Sequence, residues 1–128
     1  MTTTRYEGGC HCGAARFRVD VEDHRAITCN CSMCSKMGYL HVIVPPERFA
    51  ILRGEDAIVV YTFNTRTAKH MFCKTCGIHP FYRPRSHPND WDVNALCLDE
   101  GAAARFRVER FDGANWEANA GAIRDKRA

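Results

Sequence analysis

The chain has 128 residues, a formal net charge of +3 and 26% charged residues. That length sets one domain around one core, and acids and bases mixed along it argue against a nucleic-acid or anionic-membrane surface. The unusual number is eight cysteines. The opening Met1-Thr2-Thr3-Thr4-Arg5-Tyr6 has no apolar run for a signal peptide, and no stretch of about 18 apolar residues suggests a span. The expectation is a cytoplasmic protein, and in a reducing compartment clustered cysteines are more often metal ligands than disulfides.

Taken in order, Gly8-Gly9 precedes Cys10-His11-Cys12-Gly13, and Ala15 to Glu22 alternates apolar with charged residues, predicting a half-buried strand. Ala26-Ile27-Thr28 predicts a short strand delivering Cys29-Asn30-Cys31-Ser32-Met33-Cys34, with a helical turn from Ser32 to Met37 closed by Gly38. Tyr39 to Val44 is rich in β-branched and aromatic residues and stops at Pro45-Pro46, predicting a central strand. Phe49 to Leu52 reads as a short edge strand or turn. Ala57–Phe63 and Ala68–Phe72, joined by Asn64-Thr65-Arg66-Thr67, read as a hairpin ending at Cys73. Pro80 to Asp90 contains three prolines and is predicted extended and loop-like. Trp91–Leu98 and Arg105–Phe111 alternate as strands, and a short helix covers Asn115 to Ala118. The expected fold is mostly β, a small zinc-stabilised sandwich or open barrel of short antiparallel strands with little helix.

Seven of the eight cysteines fall into Cys10-x-Cys12, Cys29-x-Cys31-x-x-Cys34 and Cys73-x-x-Cys76. Zinc takes thiolate at roughly 2.3 Å in a tetrahedron, so four thiolates close a site and three leave one open. Cys10 and Cys12 share one side of an extended chain, and Cys73 and Cys76 wrap a knuckle for which Gly77 supplies the turn. Spacing alone does not fix which pairs share an ion; Cys10/Cys12 with Cys29/Cys31 is also chemically allowed. An open three-thiolate zinc can take water, histidine, Cys97 or an outside thiol as its fourth ligand, and a coordinated thiol is deprotonated, a sulfur nucleophile for a small carbonyl. Three thiolates and a further thiol build negative charge, for which Lys36, Arg66, Lys69, Arg83 and Arg85 are the nearby cations; each taken singly reads as solvated surface.

Other residues carry less. His11 reads as surface and His41, alternating within a strand, as a packed histidine; His70 and His79 flank the knuckle and can reach sulfur or the open site. His24 and His87 have no special context. Cys97 reads as a core cysteine, and Phe72, Phe81, Tyr82 and Trp91 as core or pocket wall.

The runs Gly8-Gly9-Cys10-His11-Cys12-Gly13, Cys29 to Cys34 with Ser35-Lys36-Met37-Gly38, and Phe72-Cys73-Lys74-Thr75-Cys76-Gly77 together resemble the glutathione-dependent formaldehyde-activating family. Phe81 to Pro88, Cys97 to Gly101 and Phe111 to Glu117 look more like its centromere protein V branch, which is associated with chromatin and microtubules. The resemblance runs from about Tyr6 to Ala118 of a single unit, 1–128. It implies a tent-like zinc fold with two zinc ions. Cys10, Cys12, Cys73 and Cys76 would hold a structural zinc; Cys29, Cys31 and Cys34 would hold a second, more easily lost, catalytic one. The implied activity is condensation of glutathione with formaldehyde or a related small aldehyde, a carbon-sulfur lyase when classified in the cleavage direction. The other expectation carried forward is a non-catalytic scaffold in which both zincs are structural and the surface serves a protein partner.

Overall fold

The computed structural model describes residues 2–124 and 126–128. Among the described residues, ten strands and two short α-helices follow in order: β1 (Thr4–Gly9), β2 (Arg16–Val21), β3 (Arg25–Cys29), α1 (Ser32–Met37), β4 (His41–Val44), β5 (Phe49–Arg53), β6 (Ile58–Tyr61), β7 (His70–Cys73), β8 (Phe81–Tyr82), β9 (Trp91–Asn94), β10 (Arg107–Phe111) and α2 (Trp116–Ile123). Single 3-10 turns join several of them, among them Ala95–Cys97. The strands form a three-stranded sheet β1-β2-β5, a five-stranded sheet β10-β3-β4-β9-β8 and a hairpin β6-β7. The mostly β reading therefore holds.

The alternation in β2 does what period two demands: Phe17, Val19 and Val21 are fully buried, while Arg18 and Arg5 on the other face bind Asp20 at 3.0 and 2.8 Å. Phe17 packs on Phe49 of β5 and on Phe81 of β8, so the main core lies between the two larger sheets. β4 is central, as expected, and all four of its residues are buried. Its two faces serve different purposes. Val42 and Val44 enter the main core with Val93, while His41 and Ile43 look the other way, Ile43 joining Ile27, Phe111 and Ile123 in a second cluster. Because Ile43 pairs with Asp92 and Asp92 with Tyr82, the same alternation puts His41, Ile43, Asp92 and Tyr82 on one sheet face.

Several expectations are corrected. β10 runs parallel to β3, pairing Phe111 with Cys29, so the strands are not all antiparallel. β9 stops at Asn94 because the Asn94 side-chain oxygen accepts the Leu96 N–H at 3.1 Å and turns the chain, which takes Cys97 out of the strand to a half-buried position at the edge of the core. Phe81–Tyr82 form a strand inside the proline-rich stretch, and Thr4–Gly9 forms β1, for which no strand was expected. Strand β6 ends at Tyr61, two residues early, and α2 extends to Ile123.

Candidate metal centres and the cavity beside them

Cys10 follows β1, and Cys12 lies in the turn leading to β2. Cys73 ends β7, with Cys76 in a turn that closes through Gly77 at φ +76°. Their four Sγ atoms lie within 4.8 Å of one another, with Cys10–Cys12 and Cys12–Cys73 each 3.7 Å apart. A tetrahedron with bonds of roughly 2.3 Å has edges of about 3.8 Å, so the donor set fits a zinc ion closed by protein thiolates. Backbone N–H groups point at the sulfurs, Ala15 to Cys10 and Thr75 to Cys73, both at 3.4 Å. Such donors favour thiolate. Although desolvation opposes it, backbone bonds from Cys12 and Ile78 hold Cys76 down at about 6.

Cys29 ends β3, and Cys31 caps α1, its Sγ accepting the Cys34 N–H at 3.3 Å. Gly38 in the left-handed region stops the helix by donating to Cys34 O at 3.1 Å. One residue of strand and one turn of helix thus turn Cys29, Cys31 and Cys34 inward, and their Sγ atoms also lie within 4.8 Å of one another. Hydrogen bonds from the Cys29 and Cys34 thiols drive Cys31 down to about 2, and the same contacts push Cys34 up. These contacts favour thiolate at Cys31 over Cys34, and a metal ion would replace the protons between the three sulfurs.

Two groups buttress this cluster. His41 Nε2 lies 3.3 Å from Cys34 Sγ, and His41 Nδ1 lies 2.7 Å from Asp92 Oδ2, with both side chains at most 5% exposed. Asp92 accepts from Nδ1, so Nε2 is presented to the sulfur, where it can accept a thiol proton or, protonated, donate to thiolate. Above Cys29 lies Gly113, where any Cβ would overlap Cys29 Sγ. Its loop is tied down by Asn30, which donates to Asp112 Oδ1 at 2.9 Å and accepts from Ala114 N at 2.8 Å.

The three thiols open onto a cavity of about 750 Å³, within the range of small-molecule sites. Ile27, Ile43, Phe111 and Ile123 form one part of its wall, and Tyr82 and His70 another. His70 is stacked between Tyr82 and Phe63, with centroids 5.0 and 5.4 Å away, and burial lowers its pKa, keeping it neutral. Arg85 lies over the Trp116 ring at 4.6 Å and bonds Glu117 at 2.9 Å.

Of the five cations singled out from sequence, Arg85 lines this cavity; Arg83 instead covers Trp91 at 3.8 Å and donates to Asn89 O. Tyr82 is cavity wall, whereas Phe81 and Trp91 belong to the core and its margin. His11 is exposed, His79 bonds Met71 O at 3.0 Å rather than a sulfur, and His87 is buried against Arg124 O at 2.6 Å. The His41–Asp92 pair and Gly113 escaped sequence reading. The only trace of the pair was a histidine and an aspartate set among apolar residues in predicted strands.

A model of the family described as glutathione-dependent formaldehyde-activating enzyme matches residues 5–113. The crystal structure of a Rhodobacter sphaeroides protein superposes with a TM-score of 0.74 at 33% identity, covering 82% of this chain and 99% of that one. With the family's model spanning most of the sequence and both cysteine clusters formed in space, the chain belongs to the glutathione-dependent formaldehyde-activating family.

Proposed function

We propose that the chain, acting as one unit in the cytoplasm, joins a small thiol, glutathione in the family's description, to formaldehyde or a related small aldehyde. In the cleavage direction this is a carbon-sulfur lyase. The observation that carries the reading is the difference between the two clusters: four thiols satisfy one another away from the cavity, and three thiols stand on its wall. Cys10, Cys12, Cys73 and Cys76 would hold a structural zinc, and Cys29, Cys31 and Cys34 a second zinc with one position open to the thiol. Zinc bound there keeps a fourth-ligand thiol deprotonated at neutral pH.

The chain's own residues do the rest. His41, fixed by Asp92, holds Cys34 in place. Apolar walls exclude water from the adding sulfur, and Arg85 at the rim meets a carboxylate of the incoming thiol. Exchange NMR of glutathione with formaldehyde tests the reading. The zinc-loaded protein should accelerate exchange, and Cys31→Ala should abolish the acceleration while removing about one of two zinc equivalents and leaving the fold intact. Absence of acceleration with every thiol and aldehyde pair tried would sink it.

A further inference from the structure

His70 opens β7 with both ring faces covered, by Phe63 at 5.4 Å and by Tyr82 at 5.0 Å between centroids, the planes within 18° and 16° of parallel. The contacts continue toward the three-cysteine cluster. Tyr82 meets His41 edge-on at 5.8 Å, and His41 Nε2 lies 3.3 Å from Cys34 Sγ. His70 is also close enough to Cys31 for a thiolate there to act on the ring. The imidazole is therefore held beside the thiols, away from the rim, where Asn64, Thr65, Asn115 and Glu117 are exposed.

Its two nitrogens differ. His70 is 6% exposed, and Nδ1 is wholly enclosed with no hydrogen-bond partner among the described residues. Nε2 has no partner there either but is not enclosed, so it belongs to the edge by which His70 lines the cavity. Burial keeps the ring neutral, with one proton for two nitrogens. A buried N–H without an acceptor is rarer in folded proteins than a buried acceptor without a donor, and an N–H on Nε2 can be satisfied by whatever fills the cavity. The proton therefore belongs on Nε2. The enclosed Nδ1 lone pair cannot reach a thiol proton, so this histidine is a donor and not a base.

Addition of a thiol to an aldehyde calls for such a donor. As the carbon-sulfur bond forms, charge builds on the carbonyl oxygen, and a fixed donor in a water-poor site stabilises it. That oxygen is two bonds from the adding sulfur, so its donor must stand next to the cluster. We propose that His70 is a catalytic residue of the addition, donating its Nε2–H to the aldehyde oxygen as that oxygen becomes a hydroxyl. This rests on the thiol-addition reading above and assigns the group that receives the electrophile. One carbon-sulfur bond forms and the carbonyl π pair moves onto oxygen. The oxygen takes a proton from solvent, balancing the one the thiol releases, and His70 keeps its own.

The first measurement needs no turnover. Nitrogen-15 NMR of the labelled imidazole in zinc-loaded protein at pH 7 should show a neutral ring protonated at Nε2; a proton on Nδ1 overturns the assignment. The second compares substitutions by where they put a donor. His70→Phe keeps the ring stack without an N–H, and His70→Asn places its amide near the enclosed Nδ1 position. Each should lower kcat for glutathione with formaldehyde by about tenfold or more, while the KM for glutathione changes less than about twofold. His70→Gln, whose amide reaches the Nε2 position, should stay within about threefold of the parent kcat. All three should keep both zinc equivalents and the parent circular dichroism, and the Asn and Gln pair decides should the Phe variant fold poorly. Loss of a zinc equivalent would make His70 a metal ligand and overturn the inference. An unchanged kcat in Phe and Asn, a fall confined to KM, or a Gln variant no better than Asn overturns it as well, and in each case thiol addition stands. A parent chain that accelerates no thiol and aldehyde pair defeats the earlier reading and this assignment together.

Discussion

Gly113→Ala is the sharpest probe of how the three-cysteine site is built. The new methyl carbon would overlap Cys29 Sγ and come within 3.2 Å of Cys31 Cβ, so about 1 Å of movement is needed to restore ordinary contact. The loop cannot simply lift, because Asn30 holds it through Asp112 and Ala114. The cheaper response is to displace Cys29 Sγ, and a sulfur moved by that much leaves a tetrahedral zinc bond of roughly 2.3 Å. Disturbing the surroundings of metal ligands costs about 10- to 100-fold in affinity, or about 1.4 to 2.7 kcal/mol. Competition against a graded series of chelators should show one zinc equivalent weakened by that factor and the other unchanged. Gly121→Ala is the paired control: nothing lies near that position, and alanine in α2 should stabilise by about 0.5–1 kcal/mol. Two equivalents bound as tightly in Gly113→Ala as in the parent chain would refute the claim that this backbone forms the wall of the site.

Further expectations follow from the same geometry. Cys76→Ala opens the four-thiol cluster; since structural zinc supplies about 10–16 kcal/mol against a typical total of about 5–15, circular dichroism should show an unfolded chain. Asp92→Ala removes the 2.7 Å acceptor of His41 Nδ1 and leaves it the Tyr82 hydroxyl at 3.3 Å, so it should cost about 0.5–1.5 kcal/mol, read as a lower midpoint in urea at unchanged slope. An unchanged midpoint would show that the pair carries no stability. Hydrogen bonding from Arg5 lowers the pKa of Asp20 below its unfolded value. Its contribution is therefore present above the ordinary carboxylate range near pH 4 and is lost as pH falls through the lower, folded value. Arg5 is 63% exposed, so the gain is about 1 kcal/mol at most. Asp20→Asn should lose it at pH 7 and lose little below pH 3; equal losses at both would contradict the assignment.

Much of this was legible in the residues, and the parts that were not share a cause. The alternation in Arg16–Val21 and the β-branched run before Pro45 report local periodicity, which burial on one or both faces enforces directly. Ile58–Tyr61 looked equally strong as a strand, yet Val60 and Tyr61 are 50% and 48% exposed, because strand propensity says nothing about what covers the strand. β1 was missed since Tyr6 is its one buried large side chain, and its pairing of Tyr6 with Val19 is a property of β2 as much as of itself. Phe81–Tyr82 is two residues long between prolines and is a strand by virtue of β9. Cysteine spacing announced metal chemistry; the joining of Cys12 to Cys73 across 61 positions is tertiary. So is the meeting of His41 with Asp92, which needs the β4–β9 register before alternation can put both on one face.

The two-sided character of β4 predicts an unusual mutational landscape. A library scanned once for cellular abundance and once for turnover should split by odd and even position over only four residues. Val42 and Val44 would be depleted in both screens, because their loss empties the main core. Conservative changes at His41 and Ile43 would survive the first screen far better than the second. Selection can therefore retune what this strand recognises while leaving what it supports untouched.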